Sequence, residues 1–155
     1  MTTIACDGKF LVSDSRTVFG TMPARRPAQK LLVRDGAVYA VSGLDGIIGT
    51  LADWYVSGAD PRNVPQAPTQ GWEMYVVTRK GTVRLSHTAP YAARVDRVWS
   101  TGSGQDYALG AMHAGADARR AVKISSKLDV YTGGPIQVID LAKVFKAKGK
   151  RRGRK

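Results

Sequence analysis

Threonine at position 2 has the most chemistry to offer, provided that Met1 is removed. A hydroxyl is a poor nucleophile until a base takes its proton. An N-terminal threonine holds both groups in one residue, because its free α-amine can act as the base. An unperturbed α-amine has a pKa of roughly 7.7–8, close to useful at neutral pH. The small side chain at position 2 suits removal of Met1 by a methionine aminopeptidase. Met-Thr starts are common, so Thr2 alone says little. Asp14 and Lys30, taken by themselves, read as a surface ion pair. Other chemistry finds no support. His87 and His113 lack metal-ligand neighbours. Gly102-Ser103-Gly104 is too short for a phosphate-binding loop. Trp54, Trp72 and Trp99 are scattered and make no platform for stacking bases. No metal and no other cofactor is expected. Cys6, the single cysteine, excludes an internal disulfide and reads as core on the strand face of Thr2 and Ile4.

The neighbours of Thr2 change its standing. Thr2-Thr3-Ile4-Ala5, Ser13-Asp14-Ser15-Arg16-Thr17, Lys30 and Val41-Ser42-Gly43 follow in that order. Gly102-Ser103-Gly104 then precedes an alanine-rich stretch, and Asp129-Val130-Tyr131-Thr132-Gly133 follows another. Together these pieces resemble the proteasome β-subunits and the peptidase subunit of the bacterial two-component heat-shock protease, over residues 2–141. The resemblance implies a threonine peptidase of the N-terminal-nucleophile class. Thr2 would attack the scissile carbonyl. Lys30 would favour the neutral amine, and Asp14 would orient Lys30. The Gly43 N–H would donate to the oxyanion. Ser103, Asp129 and Thr132 would position the amine and its water; the family often has serine where this chain has Thr132. Ala28, Leu32 and Val41 lie where the family lines its first specificity pocket, which suggests cleavage after an apolar residue. Without the resemblance, Gly43 simply ends a strand, Ser103 caps a helix, and Asp129 with Thr132 ties off a helix end.

The elements that must position these residues can be read from pattern. Asp7-Gly8, Asp35-Gly36 and Arg79-Lys80-Gly81 each lie between a pair of alternating runs, the signature of hairpins. Residues 15–28 read as an irregular crossing, and 57–71 as a loop. Asp45–Val56 has the apolar spacing of an amphipathic helix. Val95–Ser100 reads as a strand. Helices are expected over Gln105–Ala114 and Ala116–Leu128, and a last strand over Ile136–Leu141. Hairpins separated by helices indicate an α+β fold with antiparallel sheets. The resemblance sharpens this to a four-layer αββα sandwich (the Ntn-hydrolase fold). The family fits two helices between Gly43 and Glu73, where this chain has room for one. The hairpin between Thr2 and Asp14 is also shorter than the family's.

The chain of 155 residues fits one domain with a real core, expected over residues 1–142. Its net charge of +12 is concentrated at the end. Residues 143–155 carry eight of the 24 basic residues, leaving 16 against 12 acidic ones in the body. A basic, disordered tail is expected there. Lys148, Lys150, Arg151, Arg152 and Arg154 are candidates for non-specific contact with nucleic-acid phosphates, without side chains that could read sequence. No secretory signal or membrane-spanning run of about 18 apolar residues is visible, so a cytoplasmic location is expected and no membrane partner. The resemblance implies a homo-oligomeric ring and an ATP-dependent unfoldase as partner. Two competing readings remain open: a non-proteolytic structural or nucleic-acid-binding protein on the same scaffold, and an amidohydrolase acting on small molecules.

Overall fold

The computed structural model describes residues 2–19, 22–24, 26–67 and 71–150. The three expected hairpins are present. β1 (Thr3–Cys6) and β2 (Phe10–Ser13) turn at Asp7-Gly8, where the Asp7 carboxylate accepts the N–H groups of Lys9 and Phe10 at 2.8 and 2.7 Å. A short hairpin, β3 (Val18–Phe19) with β4 (Met22–Pro23), lies within the stretch read as irregular. β5 (Leu31–Arg34) and β6 (Ala37–Gly43) turn at Asp35-Gly36, both with positive φ (51° and 74°). That turn's twist matches the twist of its strands. α1 (Ile48–Val56) follows, then one 3-10 turn at Pro61–Asn63. β7 (Trp72–Thr78) and β8 (Gly81–Ser86) form the third hairpin.

The expected strand over Val95–Ser100 is two strands. β9 (Ala93–Val95) pairs with β8, and β10 (Trp99–Gly102) pairs with β1 in the other sheet. The apolar residues at 95 and 99 are both genuine strand positions, but the chain crosses between sheets within the run. α2 (Gln105–His113), α3 (Ala118–Leu128) and β11 (Gln137–Asp140) fall within the expected ranges. The Asp117 side chain caps α3 through the Arg120 N–H at 2.8 Å.

Two antiparallel sheets result, one in the order β10-β1-β2-β11 and the other β5-β6-β7-β8-β9. Strand alternation sorts the side chains into three cores. Ile4, Cys6 and Leu11 face Val38, Ala40, Tyr75 and Val77 between the sheets. Ala5 and Val12 point the other way, onto Ala108, Ala121 and Val122 of α2 and α3. On the far side, Tyr39, Val41, Met74 and Val76 pack against Ile48, Leu51 and Trp54 of α1. The fold is therefore an αββα sandwich, with α1 covering the second sheet where the family resemblance implies two helices.

The tail expected to be disordered from residue 143 is helical at its start. α4 runs from Leu141 to Lys150. Leu141 is buried, and Val144 and Phe145 pack against the core between the sheets. Their i, i+3, i+4 spacing gives one helical face, while Lys143 and Lys146 are exposed. Residues 151–155 lie outside the described residues. A chain ending at Ala142 should therefore lose about 2–3 kcal/mol of stability in urea unfolding, because it strips Val144 and Phe145 from the core. An unchanged unfolding midpoint would show that α4 contributes no packing.

Candidate active site

Asp14 follows β2 and is wholly buried. Four donors meet its two oxygens. Oδ1 accepts the Thr3 N–H at 2.8 Å and the Lys30 ammonium at 2.7 Å. Oδ2 accepts the N–H groups of Arg16 and Gly133, each at 3.1 Å. Lys30, just before β5, is 5% exposed, and its Nζ also donates to the Arg16 carbonyl at 2.8 Å. Burial pushes the Lys30 pKa below the ordinary lysine value, and the Asp14 charge works against that shift.

A second cluster joins the first through Thr3. The Thr3 hydroxyl accepts from the Gly104 N–H at 3.1 Å and lies 2.5 Å from the Thr132 hydroxyl. Thr132 donates to Asp129 Oδ2 at 2.5 Å, and Ser103 donates to the same oxygen at 2.7 Å. One proton order satisfies this chain: Thr3 donates to Thr132, and Thr132 to Asp129. Partial burial tends to raise the Asp129 pKa, but the bonds from Ser103, Thr132 and the Tyr131 N–H outweigh it and hold the carboxyl below its usual range. The Ser103 N–H donates to the Thr2 carbonyl at 2.8 Å. Thr2, 3% exposed, is thus fixed on both sides of its peptide: by Ser103 at its own carbonyl and by Asp14 at the next N–H. Beside it, Gly102 has φ +95°, and a Cβ there would lie 1.7 Å from the Thr2 oxygen. Only glycine lets β10 pass so close.

Six residues singled out from the sequence, Thr2, Asp14, Lys30, Ser103, Asp129 and Thr132, therefore form one connected network. Gly43 ends β6 with φ +107°, and a Cβ there would meet the Gly71 carbonyl at 2.0 Å. It lines an open cavity of about 210 Å³ with Ser42, Trp72 and Glu73. Leu32 and Val41 lie on the α1 side of the second sheet, and Ala28 sits before β5 with its N–H on the Ser15 carbonyl at 2.9 Å. Lys148 and Lys150 belong to α4, while Arg151, Arg152 and Arg154 lie outside the described residues.

Nothing in the sequence singles out Thr3, the Arg16 carbonyl or the Gly133 N–H. A second threonine beside the first looks redundant, and backbone donors carry no side-chain signal. His87 and His113 are exposed, and among the described residues no His, Cys, Asp and Glu cluster could hold a metal. Burial pushes the Cys6 thiol up to about 11, which leaves it unreactive. Among the described residues no helix is long and apolar enough to cross a membrane.

With this geometry in place, the chain can be compared with solved structures. The BPH protein of Thiobacillus denitrificans in complex with epoxomicin superposes with a TM-score of 0.66 at 19% identity, covering 91% of this chain and 99% of that one. BPH without that ligand gives 0.65 at 20%, covering 90% and 97%. The eukaryotic HslV of Trypanosoma brucei gives 0.65 at 19%, covering 90% and 98%. The chain has the HslV and BPH fold. At this identity the likeness concerns the fold. No protein-family model matches the sequence, and no curated protein matches it either. The αββα sandwich implied by the resemblance is thus shared over 90–91% of this chain and 97–99% of each of these neighbours.

Asp14→Asn tests the network. An amide nitrogen would turn a donor toward two N–H groups or toward Lys30, and would leave the ammonium buried without a counter-charge. A loss of about 3–5 kcal/mol in urea unfolding is expected. A loss below about 1 kcal/mol would show that the buried pair is dispensable.

Proposed function

We propose that this chain is a proteasome-type threonine peptidase whose nucleophile is Thr2 after removal of Met1. The observation that carries the reading is the buried Asp14 carboxylate, which binds Lys30 and the Thr3 N–H at once in a fold shared with HslV and BPH. A plain surface ion pair would be neither wholly buried nor tied to the backbone beside an N-terminal threonine.

In this mechanism the Thr2 hydroxyl oxygen bonds to the scissile carbonyl carbon, and its proton passes to the α-amine. The Lys30 charge disfavours a second positive charge on that amine and keeps it neutral until then. The carbonyl oxygen becomes an oxyanion facing the Gly43 N–H. Collapse breaks the carbon–nitrogen bond, and the proton held by the α-amine leaves with the departing amine. Water then releases the acyl group by the same steps in reverse roles. Ser103, Asp129 and Thr132 hold the amine and that water. Ala28, Leu32 and Val41 supply an apolar pocket for the residue before the cut.

The same reading places the chain in a homo-oligomeric ring in the cytoplasm, fed by an ATP-driven unfoldase. Epoxomicin, present in the BPH complex, is a suitable probe for the site. Wild-type protein should hydrolyse short peptides with an apolar residue before the cut, and epoxomicin should inhibit that turnover. Thr2→Ala should lower kcat/KM by about 10³-fold or more. A Thr2→Ala protein with wild-type turnover would overturn the proposal, and absence of turnover in both would favour a non-proteolytic use of the scaffold.

A further inference from the structure

β7 carries a carboxylate on the face that packs between the sheets. Alternation places Tyr75 and Val77 in that core, and Glu73 lies on the same side, one-third exposed at its edge. A charge so placed is costly unless its oxygens are satisfied. Glu73 Oε1 pairs with Arg84 of β8, across the hairpin. Glu73 Oε2 accepts from the buried Thr101 hydroxyl at 2.8 Å, and Thr101 belongs to β10 in the other sheet. The Ser42 hydroxyl, next to Gly43, lies 3.5 Å from the Thr101 hydroxyl and is able to donate to it. Further along both strands, Tyr75 stacks on Trp99 with ring centres 4.1 Å apart.

The placement of these links matters. β1 lies between β10 and β2, and β6 lies between β5 and β7. On one flank, Asp14 after β2 binds Lys30 before β5. On the other, Thr101 of β10 binds Glu73 of β7. The strand that starts beside Thr2 and the strand that ends at Gly43 are thus clamped from both sides. Thr101 also neighbours Gly102, which packs on the Thr2 carbonyl, while Ser42 neighbours Gly43.

We propose that Glu73 is a positioning residue, which acts through Thr101 and Ser42 to hold the Gly43 N–H at its working distance from Thr2. The inference rests on the peptidase reading for its catalytic consequence, but not for its structural one. Displacement of an oxyanion donor by a fraction of an ångström weakens transition-state binding more than substrate binding.

The test uses Thr101→Val, Glu73→Ala and Glu73→Gln in the full chain, with thermal unfolding to verify the fold. Glu73 is partly exposed, so its variants serve if Thr101→Val does not fold. Thr101→Val and Glu73→Ala should each lower kcat about 10-fold or more, with KM within about twofold. Glu73→Gln should recover most of that loss, because a glutamine amide can still hydrogen-bond the Thr101 hydroxyl. The amide resonances of Gly43 and Thr3 should shift in the first two variants and stay near wild type in the third. Unchanged kcat together with unmoved Gly43 and Thr3 resonances would overturn the inference. Equal losses in Glu73→Ala and Glu73→Gln would also overturn it. If peptide turnover does not depend on Thr2, the peptidase reading fails, and the two resonances alone decide this inference.

Discussion

A carboxylate sealed away from water must find a donor for each of its lone pairs, and Asp14 finds four. An uncompensated buried charge costs several kcal/mol, so the chain can close around Asp14 only when Thr3, Lys30, Arg16 and Gly133 all converge on it. Those residues come from distant stretches of the sequence. The requirement fixes the end of β2 against the start of β1, the approach to β5, and the loop after α3. It ties the backbone beside Thr2 to a buried carboxylate on which four separate donors meet.

The rest of the architecture serves that constraint. The apolar layer between the sheets sets their spacing, and the helices on either side shield the outer faces. Buried polar contacts gather at the end of the sandwich where Thr2, Ser103 and Gly43 lie. There Ser103 and Asp129 hold one side of the Thr2 peptide and Asp14 the other. Among the described residues α1 is the α-helix packed over the second sheet, so the network forms without the second helix that the resemblance implies. The network around Thr2 lies inside the sandwich, away from the face that α1 covers.

Much of this was legible in the sequence, for physical reasons. Asp-Gly pairs mark β1–β2, where Gly8 takes φ +83° and the Asp7 side chain accepts two turn N–H groups, and β5–β6, where both residues take positive φ. Thr2, Asp14, Lys30, Ser103, Asp129 and Thr132 could be picked out because their types and order resemble those of a family, even though the stretch from Thr2 to Asp14 is shorter, and the structure does bring them together. What stayed hidden has no side-chain signal or a misleading one. The Arg16 carbonyl and the Gly133 N–H are backbone groups. Thr3 passes for a repeat of Thr2. Val144 and Phe145 sit at helical spacing but are masked by the lysines around them, so α4 reads as tail. The crossing at Asp96–Val98 is silent because both of its flanks are true strands.

The proposed chemistry depends on the α-amine of Thr2 being free, since in that proposal the amine is the base, and the carbonyl of the same residue is held by the Ser103 N–H. The intact mass of the purified full chain reports this directly. The expected mass is lower than that of the 155-residue sequence by one methionine residue, with an N-terminal peptide that begins Thr2-Thr3-Ile4. A mass that retains Met1 throughout the population would contradict a role for Thr2 as nucleophile and base.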